Sequence, residues 1–166
     1  MLRKVLKIVV AFVVLVPAEV RAQTIAVPPD AKLVRQVEGG GAQVYACRVG
    51  AGSTYVWALV GPKAVLINED GSDFGTHGAG PHWTASDGST IVADAAHPLA
   101  RVNRPDAVPE LVLRVTSETG SGMLAGIRYV SRTDTLGGTP PESGCDAQHV
   151  GATIARHYSA VYSFYR

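Results

Sequence analysis

Gln43-Val-Tyr-Ala-Cys-Arg-Val49, then Gly50-Ala-Gly-Ser53, then Thr54-Tyr-Val-Trp-Ala-Leu-Val60: the fold is decided by how this stretch is read. Two runs rich in β-branched and aromatic residues flank a short turn of small residues. Such residues suit a pleated, half-buried surface, so each run predicts a strand. Gly61-Pro62 closes the second run, and Ala64-Val-Leu-Ile-Asn68 supplies a third that ends at Glu69-Asp70-Gly71. Short strands divided by turn residues at this spacing predict a mainly β, antiparallel, single domain, either a β-sandwich or a small β-barrel.

Moving downstream, Gly75-Thr-His-Gly-Ala-Gly-Pro-His-Trp-Thr-Ala-Ser-Asp-Gly-Ser89 holds two of the five histidines and one of the two tryptophans. Asp87-Gly88 predicts a hairpin with a two-residue turn, pairing Trp83 with Val92 and His82 with Ala93. Alternation then sets Trp83 and Val92 on one face and His82, Thr84 and Ile91 on the other. With Trp83 in the core, His82 points away from it. Residues 94–109 carry three prolines and predict a loop. Leu111–Thr116 and Leu124–Ser131 predict an antiparallel pair about Gly120-Ser-Gly122. Leu136–Pro141 reads as loop, and residues 145–156 have weak helical character. In the last segment Tyr158, Ala160, Tyr162 and Phe164 alternate onto one face, which predicts a closing strand.

Upstream, Arg3, Lys4 and Lys7 precede the apolar run Ile8–Val16, and Val20-Arg21-Ala22 offers a cleavage site for an export signal. The run is too short to span a bilayer, and no later stretch is longer and equally apolar. The expected division is a signal peptide over residues 1–22, an extended leader over 23–41, which Pro28-Pro29 favour and Gly39-Gly40-Gly41 ends, and a β domain over 42–166. The expected location is secreted or periplasmic. Cleavage would leave 11 basic against 13 acidic side chains, a net of −2, with no basic cluster. Nucleic-acid and polybasic membrane-surface binding both need such a cluster. Two cysteines in an exported chain predict one disulfide, Cys47–Cys145. Closing a loop of roughly 100 residues gives a chain-entropy ceiling of about 4–5 kcal/mol.

Few residues point to chemistry. His77 and His82 lie in a Gly/Pro-containing loop, but their spacing fits no named zinc pattern, and no third ligand is evident. Asn68–Asp73 is oxygen-rich yet lacks the EF-hand order. No Gly-x-Ser-x-Gly elbow is present, and Gly50-Ala-Gly52 lacks the third glycine and the helix of a dinucleotide site. Arg132 in Arg132-Thr-Asp-Thr135 suits an anionic ligand, or a local ion pair with Asp134. No cofactor, catalytic residue or metal ligand is assigned.

Gln43–Cys47, Trp57, Pro62–Leu66, Asp70-Gly71, His77-Gly-Ala-Gly-Pro-His-Trp83, Asp87-Gly-Ser89, Arg132-x-x-Thr135-x-Gly-Gly138, Pro141 and Cys145 occur in an order that resembles the exported family catalogued as domain of unknown function 3455. The resemblance runs from about Gly41 to Tyr165 and implies an exported domain with no established reaction. The family's usual pattern has an aromatic residue after the first histidine and a small hydroxyl residue before the tryptophan. Here Gly78 and His82 occupy those positions, so a His77–His82 metal pair is not a family trait. The expectation is a non-enzymatic binding or envelope-associated module for a small molecule or envelope component. Its ligand would sit where the Gly75–Trp83 and Arg132–Gly138 segments meet, contacted by His77, Trp83, Arg132 and Thr135. The alternative is a secreted hydrolase or metal-dependent enzyme centred on His77.

Overall fold

The computed structural model describes residues 25–166, and the signal peptide expected over residues 1–22 lies outside them. The strands are β1 (Leu33–Val49), β2 (Tyr55–Ile67), β3 (Asp73–Gly78), β4 (His82–Ala85), β5 (Thr90–Ala93), β6 (Ala100–Arg104), β7 (Ala107–Thr119), β8 (Tyr129–Gly137) and β9 (Thr153–Tyr165). They form one antiparallel sheet in the order β5-β4-β3-β2-β1-β9-β8-β7-β6, and β5 also pairs with β7. That last pairing closes eight of the strands into a barrel. β7 makes it possible by sharing one edge: its first half pairs with β6 and its second half with β5. Closure leaves few unpaired backbone groups at sheet edges.

The barrel interior is packed with side chains. Tyr158, Ala160, Tyr162 and Phe164 are all buried, as the alternation of β9 predicts. Phe164 meets Phe74 at a tilt and Trp83 edge to face, with ring centroids 5.6 and 6.4 Å apart. One end of the barrel is plugged by the segment between β7 and β8, which buries Leu124 and Ile127. Asp87 and Ser89 fasten this plug: Met123 N–H donates to Asp87 Oδ2 at 2.6 Å, and Leu124 N–H donates to Ser89 Oγ at 3.1 Å. The Cys47–Cys145 disulfide joins β1 to the segment before β9, with Cα atoms 5.3 Å apart.

Several local expectations are corrected. β1 starts at Leu33 and runs through Gly39-Gly40-Gly41, so the segment expected as leader enters the barrel. The glycines do not end the strand; they let it lie close to its neighbours. A side chain at Gly39 would strike the Tyr162 ring, and one at Gly41 would strike the Lys63 backbone. The two strands expected on either side of Gly61-Pro62 are one, β2, with a bulge where Val44 pairs Gly61 and Tyr45 pairs Leu59. The proline-containing loop holds β6 and the start of β7. Pro109 is tolerated there because the register breaks around it on both sides, so no ladder bond needs its missing N–H. β8 starts at Tyr129 and extends to Gly137. Residues before β9 form turns, where Asp146 Oδ1 accepts from the backbone N–H of Gln148 and His149.

The hairpin register shifts by one. Trp83 pairs Ile91 and His82 pairs Val92. Ala85 N–H donates to Ser89 O, and Gly88 N–H to Ala85 O, both at 2.9 Å. The loop therefore has three residues, with Gly88 in the left-handed region at φ 84°. Ile91, not Val92, shares the buried face with Trp83.

Candidate functional site

At the end away from the plug, the barrel opens into a cavity of about 330 Å³. Its polar groups come from six strands: Gln43 and Tyr45 on β1, His77 on β3, Trp83 on β4, Arg101 on β6, Arg132 on β8 and Tyr162 on β9. Leu111, Leu113 and Val130 form an aliphatic wall, and Leu59, Val60 and Pro81 lie nearer the rim. Register explains why these side chains meet. His77 pairs Trp83 across β3–β4, and Arg132 pairs Tyr162 across β8–β9. Opposed residues in an antiparallel pair project to the same face.

His77 is 3 % exposed. Its ring stacks on Trp83 with centroids 4.4 Å apart and planes 10° from parallel, and Tyr162 tilts against it at 5.0 Å. His77 Nδ1 lies 2.8 Å from the His82 carbonyl oxygen. A carbonyl can only accept, so Nδ1 carries the proton and Nε2 keeps its lone pair. Burial holds the His77 imidazole neutral, pushing its pKa from 6.5 down to about 3, with the nearby positive charge of Arg132 acting in the same direction. His82 contributes its backbone to this arrangement. Its own ring turns back, Nδ1 lying 2.7 Å from Ala79 O, and packs over Gly78. The two histidines therefore do not converge.

Arg132 does not pair with Asp134. Its Nε and Nη2 donate to Pro109 O at 3.1 and 2.8 Å. Its positive charge reaches across the cavity. Burial raises the pKa values of the Tyr45, Tyr158 and Tyr162 hydroxyls, and in each case Arg132 opposes the shift. Tyr45 Oη donates to Gly138 O at 2.6 Å, while Tyr158 and Tyr162 share a hydroxyl–hydroxyl bond of 3.1 Å.

Besides the Thr135 hydroxyl, two buried donor groups lack a partner among the described residues, the carboxamide nitrogen of Gln43 and the indole nitrogen of Trp83. An unsatisfied buried polar group costs about 1–3 kcal/mol, and native structures hold few of them. Both residues line the cavity. Among the described residues, no three His, Cys, Asp or Glu side chains cluster to hold a metal ion.

Of the four residues expected at a ligand site, His77, Trp83 and Arg132 line this one cavity, and Thr135 does not. Thr135 is buried on β8 beyond Asp134, whose φ of 50° breaks the alternation that began at Val130 and Arg132. Gln43, Tyr45 and Tyr162 were not expected there. The signal for Gln43 lay in its phase: it alternates with the buried Tyr45 and Cys47, placing an amide on an inward face.

A closed antiparallel barrel with one plugged end, one open end and a polar-edged aromatic cavity belongs to the class of small barrels able to hold a ligand inside. The chain belongs to the family described as Protein of unknown function (DUF3455), which it matches over residues 28–166. No curated protein and no solved structure matches it. Among the described residues, no helix is long and apolar enough to cross a membrane.

Proposed function

We propose that this protein is an exported, non-catalytic binding domain that takes a small, largely apolar molecule into the open end of its barrel. The observation that carries the reading is the pair of partnerless donors, on Gln43 and Trp83, in the wall of a cavity of about 330 Å³. Ligand sites of 300–1,000 Å³ with mainly apolar walls and a few placed polar groups are the usual form for small-molecule recognition. Acid–base catalysis gains no support from His77, since an imidazole with a pKa of about 3 is a weak base at neutral pH.

The test uses 2-naphthamide, a neutral aromatic amide, added to isotopically labelled protein. Binding in the lumen is expected to move the NMR signals of the Trp83 indole N–H and the Gln43 carboxamide. The Trp57 indole N–H, which donates to Ser143 O at 2.9 Å outside the cavity, serves as the control. Equal displacement of both indoles, or none at millimolar probe, would sink the reading.

A further inference from the structure

Resting on that reading, we infer that the lumen is built for an organic anion, specifically a carboxylate on an apolar body, with its head turned to Arg132. The first observation is charge. Arg101 and Arg132 both line the cavity, and no Asp or Glu does. Among the described residues Arg132 forms no ion pair; its guanidinium donates to the Pro109 carbonyl and lies beside the Tyr162 hydroxyl. Arg101 is exposed and donates to Asn103 Oδ1 at 2.9 Å.

This contrasts with the treatment of another arginine nearby. Arg104 Nη2 is matched by the buried Glu110 carboxylate at 2.7 Å. The remaining Glu110 oxygen accepts from the Asp134 backbone N–H, and among the described residues no ion pair joins Glu110 to Arg132. The fold supplies a carboxylate for Arg104, yet leaves Arg132 beside a cavity whose walls hold no acid. A guanidinium edge presented to an apolar space recognises a carboxylate by charge-assisted hydrogen bonds, which are roughly twice as strong as neutral ones.

The second observation is the set of donors. The Gln43 carboxamide and the Trp83 indole offer N–H groups with no acceptor among the described residues, and both residues are more than nine-tenths buried. A carboxylate has about four lone-pair sites and no proton to donate, which suits several converging donors. A cation would meet two arginines and no acid. Beyond the head, the stacked His77 and Trp83 rings and the Leu111–Val130 wall call for a flat aromatic or aliphatic body. Room is limited: liquid water takes ~30 Å³ per molecule, so the space equals about ten waters.

Matched pairs decide the matter: benzoate, 2-naphthoate and octanoate, each against its own amide, titrated at pH 7 and low salt. The Trp57→Phe protein, with Trp83 as its remaining tryptophan, reports binding by fluorescence. At least one acid is expected to bind tenfold or more tightly than its amide. Arg132→Gln should erase that difference by weakening the acid, and Arg132→Lys should restore part of it. Amides binding as well as acids overturn the anion assignment and leave the binding-domain reading standing. Failure of every acid and every amide overturns both. Should Arg132→Gln fail to fold, the acid–amide comparison on unaltered Arg132 still decides.

Discussion

His77 is the residue whose surroundings say most about how this protein responds to its medium. In the folded chain its imidazole titrates at about 3, against 6.5 when unburied. The unfolded chain therefore takes up a proton first as pH falls. Stability from this site is intact above pH 6.5 and is lost progressively between 6.5 and 3, by at most about 1.4 kcal/mol per pH unit. Urea midpoints at pH 7 and pH 5 should fall further apart in the native protein than in His77→Phe, where the titrating group is gone. Equal differences would show that His77 is not held neutral. Thr135 offers the opposite case. Its buried hydroxyl has no partner among the described residues and does not line the lumen cavity, so Thr135→Val is expected to be neutral or mildly stabilising and to leave 2-naphthamide affinity unchanged. Loss of binding in that variant would return Thr135 to the site.

At the scale of elements, the glycines of β1 make a paired test. A methyl group at Gly39 meets the Tyr162 ring, whereas one at Gly40 meets nothing within 4 Å. Gly39→Ala should therefore destabilise by about 1–3 kcal/mol through overpacking, and Gly40→Ala should cost little. Equal midpoints in chemical denaturation would refute the close approach of β1 to β9. The same glycines show where reading the chain alone fell short. The alternation of Tyr158 to Phe164 was legible because its period is local. The continuity of β1 through Gly39–Gly41 was not, because the reason for small residues there lies on β9, more than a hundred residues away. Asp87-Gly88 located its hairpin correctly, but a third loop residue moved the register and exchanged Val92 for Ile91. The site divides in the same manner. His77, Trp83 and Arg132 stood out by residue type, while Gln43 and Tyr45 join them only once the sheet closes.

For the whole molecule, the disulfide is the clearest single constraint, since it spans 98 residues of sequence. Replacing Cys47 and Cys145 together by serine is expected to lower unfolding free energy by up to about 4–5 kcal/mol on the chain-entropy account. Urea unfolding with and without reductant measures the same quantity in the native chain. A shift below about 1 kcal/mol would mean the barrel's own packing already restrains the unfolded chain at those points.

β9, the last strand in the chain, sits between β1, the first, and β8. Its position sets an order of events during biosynthesis. Until residues 153–165 have been made, β1 and β8 are both open edges, and the Tyr158, Tyr162 and Phe164 side chains that fill the lumen do not yet exist. A nascent chain therefore has hairpins to form but no barrel to complete, and rapid collapse into a finished domain is denied to it. A fold that waits for β9 holds the eight preceding strands short of closure until that segment has emerged.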